Sequence, residues 1–198
     1  MNFSNSDFEP LNLNKGDILD LTKAAPSLKK VILGAGWDVN NYGSNDFDLD
    51  ISAFCLHNGK VVDVPNDVVY FKNMAVTGVI LEGDNRTGQG DGDDERIRVN
   101  LDEIPAGVTE IIFNVNIYDC QQRQQTFGMI DNSYIRLLDA ENDEKELCRF
   151  ELKKEASNAT AIIFAKLFRT RDGWSFEALG EPLVVKDLNQ VLYRYYNH

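Results

Sequence analysis

Histidine is almost missing from this chain, with two among 198 residues, and the three cysteines, Cys55, Cys120 and Cys148, form no C-x-x-C pair. An odd, scattered set of thiols points to neither a disulfide framework nor a thiolate zinc site, and reads instead as buried, reduced cysteine. His57 and His198 are too few to build a zinc or copper centre. Positive charge is also short, with 20 Lys and Arg against 32 Asp and Glu and a net charge of −12. Phosphate backbones and anionic lipid are bound through clustered Lys and Arg, so nucleic acid and direct membrane insertion are set aside. No stretch approaches the roughly 18 continuous apolar residues of a membrane span. The opening MNFSNSDFEP lacks the basic start and apolar run of a secretory signal, so a cytoplasmic protein is expected. Nor is there a low-complexity tract, a fixed-period repeat or a shift in composition, and one domain over residues 1–198 is expected.

What the chain has is alternation. Along Glu110 to Asp119, Ile111, Phe113, Val115 and Ile117 share one face while Asn114 and Asn116 take the other, predicting a strand buried on one side and largely wet on the other, a pattern that a hydrogen-bonded edge and a covered sheet would both accept. Similar segments are predicted at 31–37, 47–56, 68–71, 79–81, 97–101, 134–138, 147–152, 161–168 and 174–179, several separated by turns such as Asn58-Gly59 and Asp172-Gly173. About ten such strands imply an all-β-dominated fold, a two-sheet antiparallel β-sandwich with a few peripheral helices. One helix is predicted at the C-terminus, where Leu188, Val191, Leu192 and Tyr195 follow the i, i+3, i+4, i+7 spacing. A shorter one is predicted from Asp119, as cap, to Phe127, with Gly128 as its stop.

Acid is concentrated in two places. Gly83 to Glu95 carries five carboxylates and four glycines between two predicted strands. Like charges held several ångströms apart cost on the order of 1 kcal/mol per pair at a surface-like dielectric, and a divalent cation reverses that sign. Calcium takes about six to eight oxygens from carboxylates, amides and backbone carbonyls, and glycines let carbonyls turn inward. Magnesium keeps more of its water and demands stricter octahedral geometry, which leaves Ca2+ as the leading ion. An EF-hand is excluded, because Arg86 and Gly88 fall where oxygen ligands are needed and Gln89 where the turn glycine is needed. In the second place, Asp46, Asp48 and Asp50 alternate with Phe47, Leu49 and Ile51, aligning three carboxylates on one face at a strand's outer end.

The combination of GWD (Gly36 to Asp38), DFDLD (Asp46 to Asp50) and GDNRTGQGDGDDE (Gly83 to Glu95) resembles the TerD domain, and the likeness extends from LNLNKGDILDLTK to GWSFEALG. The resemblance implies a β-sandwich that binds calcium through its acidic loops within a bacterial system for tellurite resistance and general stress response. By motif match it implies Asp46, Asp48, Asp84, Asn85, Asp91, Asp93, Asp94 and Glu95 as metal ligands, with Asp50, Asp38 and Asp119 as weaker candidates. Partners would be other proteins of the tellurite-resistance system, at a membrane-protein complex among other places. The chain departs from the family in Ile117-Tyr118-Asp119, where Ile-His-Asp is common, and in residues 1–10, which extend beyond the usual start.

The reading is of a Ca2+-dependent binding or sensing module rather than an enzyme. The competing possibility is a metal-dependent hydrolase or phosphoesterase using the same acids, but no histidine base, Walker-type lysine loop or Ser-His-Asp order accompanies them. Tellurite reduction by the cysteines would need a low-pKa thiol and a resolving partner, and the spacing offers neither.

Overall fold

The computed structural model describes residues 9–38, 47–83, 92–152 and 158–196. With strands numbered in chain order, one sheet runs β1 (Leu11–Asn12), β11 (Lys145–Glu151), β10 (Asp131–Asp139), β3 (Lys30–Asp38), β8 (Glu95–Asn100), β7 (Val79–Leu81) and β6 (Ala75–Val76). The other runs β2 (Ile18–Asp20), β13 (Trp174–Leu183), β12 (Ala161–Arg169), β9 (Glu110–Ile117), β4 (Leu49–Leu56) and β5 (Val68–Val69). The pairings are antiparallel except β1 on β11, so the sandwich read from the alternation is the fold found.

The alternating apolar residues meet between the sheets. Leu33 and Ile97 from one and Ile51, Phe113 and Phe164 from the other are fully enclosed, and the two phenylalanine rings stack at 6.2 Å. A second apolar cluster lies outside the six-stranded sheet, where α4 (Leu188–Tyr196) covers Phe54, Ile112 and Ile163 with Val191, flanked by Leu188, Leu192 and Tyr195. These are the positions whose helical spacing predicted the helix.

That covering decides between an edge strand and a covered sheet for β9, and corrects the expectation of a wet face. The outer face of β9 is not wet, since Asn114 is 0% and Asn116 6% exposed. β9 is central, between β12 and β4, and its Asn side has α4 and its neighbouring loops above it.

A second correction concerns the helix expected from Asp119 to Phe127. It is a single turn, α3 (Cys120–Arg123), entered through Asp119 at φ 53° with no side-chain cap bond and ended by Gln124 at φ 52°. Gly128 stops nothing and sits inside a separate 3-10 turn, Phe127–Met129. A left-handed backbone costs a side-chain-bearing residue about 1 kcal/mol or more, and glycine escapes that cost. Gln124→Gly, at an exposed position, is therefore expected to raise stability by about 0.5–1 kcal/mol, read as a higher denaturant midpoint at unchanged slope.

Candidate metal centre

The strands that flank the two acidic segments meet at one end of the sandwich. β3 runs into residues 39–46, which lead to β4, and β8 begins where the glycine-aspartate loop finishes. Because β3 and β8 are antiparallel, with Ala35 opposite Glu95, the end of one strand lies beside the start of the other. Asp46, Asp84, Asn85 and Asp91 lie outside the described residues. Asp48, Asp50, Asp93, Asp94 and Glu95 are described, and they are sent to different places.

Asp94 continues the β3–β8 ladder after the strand pairing stops. Its N–H donates to the Ala35 carbonyl at 2.8 Å, and its carboxylate accepts the Trp37 N–H at 3.0 Å. Glu95 points between the sheets, is 2% exposed, and accepts the Ile51 N–H at 2.6 Å. That amide needs a partner because β5 is only two residues long and pairs with β4 at Ala53 and Phe54, leaving the start of β4 without a strand on that side. Asp48, on the approach to β4, accepts the Tyr118 N–H through its backbone carbonyl at 2.8 Å.

Asp93 goes elsewhere. Gly92, at φ 108°, and the bend at Asp94 turn the chain so that the Asp93 side chain lies on the outer face of the seven-stranded sheet. There it is 2% exposed, accepts from Arg136 Nε at 2.7 Å, and has Arg96 Nε at 4.0 Å. Burial alone would lower the Arg136 pKa, and the hydrogen bond and charge of Asp93 more than reverse this. Gly34 makes the seat, because a Cβ there would collide with the Asp93 carboxylate, and Gly36 makes the same allowance for the Tyr134 ring, whose hydroxyl donates to the Gly92 carbonyl at 2.9 Å. Asp50 also faces away from the core. It lies 7% exposed on the outer face of the six-stranded sheet and accepts from Asn116 Nδ2 at 3.5 Å.

Sequence reasoning missed the partners of Asp93, although alternating outward arginines and two side-chain-free positions in β3 were their signal. Among the described residues, no three His, Cys, Asp or Glu side chains form a group that could hold a metal ion. The weaker candidates divide similarly. Asp38 ends β3, and Asp119 lies at the mouth of a groove beyond β9. The soft donors are engaged or enclosed. His57 Nε2 is 2.9 Å from the buried Asp67, all three cysteines are free and buried, and burial pushes the Cys55 and Cys148 thiols up to about 12. Thiols in that state are not thiolate nucleophiles at neutral pH.

A TerD domain model matches residues 10–195. The chain is 42% identical to a tellurium resistance protein TerD of Serratia marcescens, over 86% of this chain and 90% of that one. It is likewise 42% identical to general stress protein 16U of Bacillus subtilis (86% and 89%), and 38% identical to stress response protein SCP2 of the same organism (93% and 98%). Among solved structures, a Streptomyces coelicolor homologue of a telluride resistance protein superposes with a TM-score of 0.62 at 23% identity, covering 85% of this chain and 96% of that one. A protein of unknown function superposes at 0.68 and 20% identity, covering 86% and 99%. At those identities the structures show likeness of fold.

Proposed function

The chain belongs to the TerD family of tellurium-resistance and general-stress proteins, and from that footing we propose that it is a cytoplasmic Ca2+-dependent binding module of such a system. The observation that carries the proposal is the hydrogen bond from Ile51 N–H to the Glu95 carboxylate, which ties the strand following one acidic segment to the strand following the other. The described ends of two carboxylate-rich segments are thereby held together at one end of the sandwich. Without a cation they would repel each other.

The donor chemistry suits a hard cation, since these segments supply carboxylate, amide and backbone oxygens and no sulfur or imidazole. Asp46, Asp48, Asp84, Asn85, Asp91, Asp94 and Glu95 would hold calcium. Asp93, drawn off by Arg136, serves the fold, and Asp50 serves the outer face of the other sheet. When bound, the ion supplies charge neutralisation, and the chain's own part is to order the two loops into a surface that other proteins of the resistance system recognise.

A calorimetric titration of chelator-stripped protein with calcium, with magnesium as competitor, tests this reading. Saturable heat with calcium that magnesium displaces only weakly is the expected result. Absence of heat with either ion would overturn it.

A further inference from the structure

The outer face of the six-stranded sheet is apolar under the body of α4 and polar towards the helix's first turn. Along β4 and β9, Phe54 and Ile112 give way to Ser52 opposite Asn114, and then to Asp50 opposite Asn116. Asn114 donates to Ser52 Oγ at 3.4 Å and to Asn116 Oδ1 at 3.2 Å, and Asn116 donates onward to Asp50 at 3.5 Å. The series ends in a groove of about 580 Å³ with Asp50 and Asn116 in its lining, both more than nine-tenths buried. That volume is in the range of small-molecule sites, about 300–1,000 Å³.

The walls narrow the chemistry of an occupant. Tyr70, Phe71 and Tyr118 form one side as an edge-to-face run, with ring centres 5.5 and 6.0 Å apart. Lys72 lies over the Phe71 ring and Arg123 over the Tyr118 ring, so a cationic ligand approaching this wall would meet the protein's own positive charge. Asp50, Asp119 and Asp187 are largely offset by Lys72 and Lys186 in the same lining, which favours a neutral guest over a strongly charged one, and the amide-and-carboxylate floor disfavours a purely apolar guest. Gln121, Gln122 and Asn189 add amides that both donate and accept at the rim.

We infer that this groove binds a neutral polyhydroxylated small molecule, a sugar of mono- to disaccharide size, with hydroxyls at Asp50 and Asn116 and its C–H face against Phe71 and Tyr118. The site lies outside the calcium reading and stands or falls separately from it.

The test is a two-dimensional NMR titration of the full-length protein, run both with calcium and with chelator, following the Asn114 and Asn116 side-chain amides. Glucose, maltose and trehalose are the probes at millimolar concentration, with spermidine and inorganic phosphate as charged comparators. The expected result is saturable movement of those amides with at least one sugar, weakened about tenfold by Tyr118→Ala, whose side chain is exposed enough for the fold to survive, and unchanged by Tyr193→Ala on the exposed side of α4. No saturable movement with any of the three sugars overturns the inference. So does saturation by spermidine or phosphate alone, or sugar binding that Tyr118→Ala leaves intact.

Discussion

Arg136→Met should lower the free energy of unfolding by about 3–5 kcal/mol, far beyond the 0–1 kcal/mol typical of an exposed ion pair. The difference rests on Asp93. Arg136 keeps a quarter of its side chain in water, but Asp93 has 2% of its own. Removing the guanidinium therefore strands an enclosed carboxylate rather than returning a pair of charges to solvent. Arg96, 4.0 Å away and itself paired with Glu144 at 2.7 Å, compensates in part and draws the loss towards the lower end of the range. Asp93→Asn in the Arg136→Met background should recover much of the stability, because the stranded charge is then gone. Gly34→Ala should cost a comparable amount for a steric reason, since its methyl group enters the space of the Asp93 carboxylate. Denaturant unfolding of Arg136→Met, Asp93→Asn and the double variant, all in chelator, gives the coupling directly. An Arg136→Met loss below about 1 kcal/mol would show that Asp93 is not held as described.

The same residue marks the limit of what could be read in advance. Alternation in β3, β4, β8, β9 and β12 is long enough to announce the strands and the face that enters the core, and α4 declared itself through Leu188, Val191, Leu192 and Tyr195. Strands β1, β2 and β6, two or three residues each, are too short to carry a period, and exist because a neighbouring edge accepts their hydrogen bonds. The single turn of α3 was overestimated because Gln and Arg favour helix locally, while left-handed backbones at Asp119 and Gln124 confine it to four residues. The acids were read as one cluster because charge alone does not reveal direction. A turn at Gly92 and a bend at Asp94 send Asp93 onto one sheet's outer face and Glu95 between the sheets. Burial of Asn114 and Asn116 was hidden too, since their coverage comes from a helix more than 70 residues further along the chain.

Those divergent directions turn the calcium proposal into a prediction that separates ligands from scaffold. At a thousandfold excess of free calcium over its dissociation constant, binding to the folded state alone adds about 4 kcal/mol of stability. For a chain of this size that corresponds to a rise in melting temperature of roughly 8–16 °C. Asp48→Asn combined with Asp94→Asn should remove most of that gain, because two carboxylates proposed as ligands become neutral amides while their shapes are kept. The Asp93→Asn, Arg136→Met protein should behave in the opposite way. Its baseline without calcium falls, yet the increment on adding calcium persists, since on this reading Asp93 neutralises an arginine and not the ion. Melting curves of the parent and the two double variants, each with excess calcium and with chelator, decide the matter. Loss of the increment in the Asp93 variant and its survival in the Asp48, Asp94 variant would reverse the assignment and put the ion on the outer face of the seven-stranded sheet. Melting temperatures that ignore calcium in all of them would mean that the carboxylates at this end of the sandwich are balanced by the protein's own arginines and by water.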